Sequence, residues 1–360
     1  MNFFKIFWLF FQQLLIKKKF TRHTPSTAAV RWAFFGGNFH TLGVLLQLME
    51  KSNLTQDGNK EMLYADLFCL PESTAGMRNQ LIFLAALNIF LSITALIGNS
   101  LILAVLRKES SLHPPSKIMF RNLAIADFSA GIIAEPVIAI CWLSVVNNRW
   151  DICRFALIAT HITGYILGST SLFTLTTISV DRLLALLLGL KYRQVVTLKR
   201  TGLTIAISWA VSIVSTTFYF WNYVITSWIS SVAISLCLCT SFFSYSKIFL
   251  TLRHHRVRAQ DHVNQQQQSQ AIPMNIVRYK KAVFVTLWAQ ITLLVCYLPH
   301  GIVEAFTQRG LSSSIFLARS FTATLVYLKS TLNPIVYCWK MTEVRRAVIK
   351  LIRDLFCWSN

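Results

Sequence analysis

Residues Leu81 to Leu106, LIFLAALNIFLSITALIGNSLILAVL, contain no charged side chain. About 20 mostly apolar residues are enough for a helix to cross the hydrocarbon core of a bilayer. Working outward from this stretch, the pattern repeats. A second run follows Arg121 and reaches about Val145, interrupted by Asp127 and Glu135, and a third runs from Phe155 to Val180. No charge stands between Arg200 and Lys247, which fits two spans joined by a tight turn near Trp221, Asn222 and Tyr223. A sixth lies between Lys281 and Glu304, and a seventh runs from about Ser314 to Trp339 with Arg319 and Lys329 inside it. The spacing predicts an all-α membrane protein with seven transmembrane helices.

Composition agrees. Of 360 residues, 54% are hydrophobic and only 14% charged, where a soluble globule keeps about a quarter charged. A water-soluble protein and a disordered chain are both excluded. The excess of 35 Lys and Arg over 14 Asp and Glu, a net charge of +21, reflects basic cytoplasmic loops and not a nucleic-acid partner. Basic residues gather after spans one, three, five and seven: Arg107 and Lys108, Lys191 and Arg193, Arg253 and Arg256, Arg345 and Arg346. That bias places the N-terminus outside and the C-terminus inside a plasma membrane. Asn53-Leu54-Thr55, a glycosylation sequon, then falls outside. The eight cysteines include no C-x-x-C pair, so neither a metal site nor a dense disulfide framework is expected.

Four segments follow. Residues 1–48 fit poorly: Phe3 to Ile16 is short for a span, and Lys17, Lys18 and Lys19 follow it instead of preceding it. We expect either a gene-model extension ahead of Met49 or an interfacial amphipathic segment. Residues 49–80 form an extracellular tail, and 81–339 the seven-helix domain. Residues 340–360 hold a short amphipathic helix on the inner leaflet, with Val344, Val348, Ile349, Ile352 and Leu355 opposite Arg346, Lys350 and Arg353. Cys357 at its end is either palmitoylated or a plain thiol.

An ionisable or amide group within a span is costly and marks function by default. Asn99, Asp127, Lys329 and Asn333 are such groups. Pro299 and Pro334 remove backbone donors and make natural hinges. Asp181-Arg182 stands at the inner end of span three. In sequence these residues read Gly98-Asn99, Asn122-Leu123-Ala124-Ile125-Ala126-Asp127, Asp181-Arg182-Leu183, Trp209, Tyr245, Cys296-Tyr297-Leu298-Pro299 and Asn333-Pro334-Ile335-Val336-Tyr337. Their order and placement resemble the rhodopsin-like (class A) G-protein-coupled receptors over about residues 80–356.

That resemblance implies a non-enzymatic receptor without a cofactor, which joins an extracellular ligand to a heterotrimeric G protein. Arg182, Tyr245 and Tyr337 would rearrange as helix six moves at Pro299. It also implies a sodium site at the place of Asp127, Ser171, Ser330 and Asn333. Lys329, four residues before Asn333, shares its helix face. The ammonium is therefore predicted to pair with Asp127 in place of sodium, or else to turn into a water-filled pocket. Three departures stand out: Cys237 replaces the fifth-helix proline, the second outer loop is only a turn, and no cysteine lies between Arg154 and Leu236. Together these resemble the melanocortin, lysophospholipid and cannabinoid group. Cys69 and Cys153 are then either a disulfide or two free thiols.

For the ligand, the outer half offers Glu135, His161, Tyr165, Tyr297, His300, Glu304 and Arg319. Such a set suits a mostly apolar pocket with a few convergent polar groups. Glu135 is the foremost candidate, because a buried carboxylate needs a partner. Two acids lean toward a cationic peptide over an anionic lipid. Gly164 takes the place where amine receptors carry an aspartate, which argues against an amine. Tyr327 takes the place of the opsin lysine, which argues against a retinal photoreceptor. A transporter would show matching halves with broken helices, and a hydrolase clustered metal-binding residues; neither pattern is seen.

Overall fold

The computed structural model describes residues 69, 74, 76–108, 113–218, 223–265, 274–307, 313–340 and 342–356. Residues 1–48, Asn53, Trp221, Asn222 and Cys357 lie outside them. Among the described residues, with a 3-10 turn (Gly189–Lys191) and a single helical turn (Tyr192–Val195) standing between the third and the fourth, seven long helices and a short last one follow in order, without a strand. They are α1 (Arg78–Lys108), α2 (Pro114–Val146), α3 (Trp150–Leu188), α4 (Leu198–Thr217), α5 (Tyr223–Gln265), α6 (Met274–Thr307), α7 (Ser313–Lys340) and α8 (Thr342–Phe356). Four of them, α1, α2, α3 and α5, are by length and apolarity alone able to cross a bilayer. Helix α6 adds a shorter apolar stretch, Ile291–Phe306, while α4 opens on Lys199 and Arg200 and α7 carries Arg319 and Lys329.

Helices α1, α2, α3, α5, α6 and α7 pack in a ring, each against the next and α7 back on α1. Helix α4 lies outside, against α2 and α3, while α3 also touches α6. Helix α8 folds back on α1 and α7. The faces are reversed relative to a soluble bundle. On α1, Phe83, Phe90 and Ile97 are 56%, 61% and 59% exposed, whereas Asn88, Ser92 and Asn99 are buried. A lipid-facing stripe explains this, because an apolar solvent leaves no drive to hide Phe and a strong one to hide Asn.

Helix association in lipid rests on close packing and on internal hydrogen bonds. Both are visible around two prolines. Pro334 cannot donate to the carbonyl of Ser330, one turn back. Asn99 Nδ2 donates to that carbonyl instead, at 3.1 Å. The approach is close enough that a Cβ on neighbouring Gly98 would meet Pro334 Cγ at 2.9 Å. The second case was not foreseen. Helix α2 is interrupted by one π-helical turn, Ala130–Ala134, in which Glu135 N–H reaches Ala130 O. In that register the donor for Gly131 O would be Pro136, which has none. Ser92 Oγ supplies it at 2.7 Å. Thus α1 provides the hydrogen bonds that two prolines withhold.

Other joints are short. Gly189, with φ 50°, ends α3. Thr197 caps α4 by accepting from Arg200 N–H. The tail is fixed by a disulfide from Cys69 to Cys153 near the start of α3, so of the two alternatives the bond is present.

Ser92→Ala leaves a buried carbonyl unpaired, which costs about 1–3 kcal/mol. Its melting temperature in nanodiscs is expected to fall clearly below that of Thr204→Ala, whose hydroxyl bonds only a carbonyl of its own helix. Equal melting of the two variants would count against the role given to Ser92.

Candidate functional site

Three polar centres lie one above another along the bundle. The middle one is the most buried. Asp127 of α2 and Lys329 of α7 are each 1% exposed, with Nζ 2.9 Å from Oδ1. The same carboxylate accepts from Ser171 Oγ at 3.1 Å, Ser330 Oγ at 3.0 Å and Asn333 Nδ2 at 2.6 Å. Lys329 also donates to Ser171 Oγ. Of the two orientations open to Lys329, the ion pair is the one adopted. One carboxylate therefore ties α2, α3 and α7 together, and Asn99 joins α1 through Ser330. Breaking such a pair from one side leaves an uncompensated buried charge, at about 3–5 kcal/mol.

The inner centre surrounds the end of α3. Arg182 Nη2 lies 2.8 Å from Asp181 Oδ2 and 2.5 Å from Ser116 Oγ. Asp181 accepts in addition from Ser116 Oγ at 3.2 Å and from Tyr192 OH at 2.6 Å. Burial first, and then the carboxylate of Asp181, hold the Tyr192 phenol well above the usual tyrosine range, so it stays a donor. His113 packs its ring on Tyr192, with centroids 5.3 Å apart. Tyr192 and Ser116 were not singled out from the sequence. Tyr192 stands 11 residues beyond Asp181, in a loop whose fold alone brings it back. Tyr337 of α7 packs edge-on against Phe120 at 5.4 Å, and its buried hydroxyl has no hydrogen-bond partner among the described residues. Tyr245 is buried with Ile248 on α5. Pro299 and Pro334 both lie inside continuous helices.

The outer centre joins α3, α5, α6 and α7. Glu304 Oε2 lies 2.9 Å from Arg319 Nε. Glu304 Oε1 accepts from Tyr165 OH at 3.2 Å and Ser227 Oγ at 2.9 Å. His161 Nδ1 faces Leu157 O at 2.9 Å, which can only accept, so Nδ1 carries the proton. His161 Nε2 is then the acceptor for Arg319 Nη2 at 3.1 Å. Tyr297 OH donates to Gly168 O at 2.9 Å, and His300 Nδ1 stands 3.3 Å from Thr322 Oγ1. The pairing of Glu304 with Arg319 was not drawn from the sequence, although opposite charges in the outer halves of successive helices were a signal for it. Glu135 departs from expectation. It is 0% exposed, yet neither carboxylate oxygen has a hydrogen-bond partner among the described residues.

In each of the three centres a serine hydroxyl donates to a carboxylate that is already paired with a cation. What the arrangement can do is hold helices in one packing and release them into another. Comparison with known proteins agrees. The family described as 7 transmembrane receptor (rhodopsin family) matches residues 98–222. Probable G-protein coupled receptor 45 of Homo sapiens is 24% identical over 323 residues, covering 76% of this chain and 83% of that one. Galanin receptor 2a of Danio rerio is 25% identical over 275 residues, 72% of this chain and 75% of the relative. Melanocortin receptor 4 of Danio rerio is 24% identical over 308 residues, 79% and 88%. With the motifs and the helical bundle already described, these relatives identify the chain as a rhodopsin-like G-protein-coupled receptor, a multi-pass membrane signalling protein and not an enzyme.

Proposed function

We propose that this receptor sits in the plasma membrane with its N-terminus outside and its C-terminus inside, and passes an extracellular ligand signal from the outer polar centre through Asp127 and Lys329 to the inner one. The basic loops on the side of Arg182 support this orientation. Agonist and heterotrimeric G protein would favour the same helix packing, each raising the affinity for the other. The relatives are named for different ligands, so none lends its own to this chain, and the melanocortin-like grouping stays a proposal.

The observation that carries the coupling assignment is at the inner end of α3. Leu190 is 98% exposed, and Leu187 59%, beside basic Lys191 and Arg193. An apolar group held out among cations on a cytoplasmic loop suits a docking contact with a partner protein. Next to it Arg182 is held by Asp181 and Ser116. Release of that arginine, with movement of Tyr245, Tyr337 and helix α6 at Pro299, would open the inner cleft.

In cells, Asp181→Asn and Tyr192→Phe are expected to raise basal second-messenger output, because each loosens the hold on Arg182. Arg182→Ala and Leu190→Ala are expected to reduce coupling several-fold or more at unchanged surface display. Full coupling by both of the latter variants would overturn the assignment.

Lys329 is the built-in cation of the middle centre. The native receptor should therefore melt at the same temperature in sodium chloride and in N-methylglucamine chloride of equal ionic strength. In Lys329→Ala the oxygens of Asp127, Ser171, Ser330 and Asn333 are left as a set suited to a hard cation, and sodium should raise the melting temperature. A native receptor stabilised by sodium would contradict this role.

A further inference from the structure

We propose that Glu135 is the anchoring subsite for an organic ammonium group, so that the receptor's ligand is a protonated amine with an apolar body. The proposal rests on the receptor reading above and goes on to name the ligand's chemistry. Gly164 had argued against an amine, but it speaks only for α3; the available carboxylate stands on α2.

The first argument is charge. A carboxylate with 0% exposure, whose two oxygens have no hydrogen-bond partner among the described residues, cannot stay ionised alone in such a place. Among the described residues, the span cations Lys329 and Arg319 are committed elsewhere, to Asp127 and to Glu304. Glu135 therefore waits either for a proton or for a cation brought from outside.

The second argument is that the backbone is shaped to aim this residue inward. Glu135 lies eight positions beyond Asp127. On an unbroken α-helix it would stand about 80° around the axis from Asp127. The π-turn at Ala130–Ala134 absorbs about one residue and returns it to within about 20°. The departure from α-helical geometry, held by Ser92 and Pro136, turns a costly acid toward the interior. π-Turns of this kind are frequent at functional sites.

The third argument is the company it keeps. Trp142, seven residues on and so on the same face, is buried with an unpartnered Nε1. Tyr327 of α7 lies within electrostatic range of Glu135. Its hydroxyl fills the space that any side chain at Gly164 would take, 2.8 Å from the Cβ position. Around them Ala130, Ala134, Ile138 and Ala139 make one apolar cluster. A metal ion would want several oxygen or nitrogen ligands, and no group of three His, Cys, Asp or Glu gathers among the described residues. A single carboxylate amid aromatic and aliphatic groups suits an ammonium on an apolar body. Trp142 and Phe316 of that cluster pack edge-on at 5.6 Å.

The test compares matched probes by thermal shift on the full-length receptor in nanodiscs: phenethylamine, 2-phenylethanol, 3-phenylpropionate and calcium chloride. The native receptor is expected to bind phenethylamine about tenfold or more tightly than the alcohol, the factor of one charge-assisted hydrogen bond, and to show no shift with the acid or with calcium. Glu135→Gln and Glu135→Leu are expected to lose that preference. A native receptor with no preference for the amine overturns the proposal, whether or not either variant folds. So does a preference that survives in a folded variant, or a calcium shift that disappears with Glu135. Nucleotide exchange on an added G-protein heterotrimer by the native receptor, without any probe, tests the receptor reading separately. Its failure would strike coupling while the thermal shifts still decide the amine site.

Discussion

The ion pair between Lys329 and Asp127 is the interaction on which the rest of the bundle depends. Lipid offers no water to either group, so each must find its partner inside the protein. The pair meets that demand with three further donors on the one carboxylate, from α3 and α7. Three helices are thereby held in register at mid-depth. A cation supplied by the chain itself stays tethered to α7, unlike a bound ion.

The ends of the bundle follow from that fixed centre. Helix α1 contributes no charge, yet it completes the hydrogen bonding of α2 and α7 where Pro136 and Pro334 cannot. Above the centre, Glu304 and Arg319 bind α6 to α7, and Tyr165 and Ser227 add α3 and α5. Below it, Asp181 and Arg182 are joined to α2 by Ser116 and to the following loop by Tyr192. Helix α3 enters all three centres, through Tyr165, Ser171 and Asp181, so its displacement alters each of them. Glu135 is the exception, a buried acid without a hydrogen-bond partner among the described residues.

The sequence made the helices, their faces and the Lys329–Asp127 contact legible, for one reason. In a span a charged or amide side chain must face inward, so position along the run and spacing around the helix locate it in three dimensions. Asn99 and Asn333 obey that rule. The π-turn in α2 escaped it, because Ala130-Gly131-Ile132-Ile133-Ala134 carries no polar signal and the distortion is held by Ser92 of another helix. Tyr192 escaped it because a single helical turn, Tyr192–Val195, is too short to have a period that betrays its direction. The pairing of Glu304 with Arg319 escaped it because both were legible as inward-facing, but which of several inward groups would meet depends on helix tilt and rotation. Residues 1–48, with their apolar run and trailing lysines, lie outside the described structure, as do Asn53 and Cys357.

A double-mutant cycle on Asp127 and Lys329 tests the central claim most directly, read as unfolding free energy of the receptor in nanodiscs. Asp127→Asn and Lys329→Met should each destabilise it, by about 3–5 kcal/mol where one charge is left buried alone. The double variant, with neither charge, should lose far less than the sum, giving a large coupling energy between the two sites. Additive losses would show that the two groups do not depend on each other, and would contradict the account.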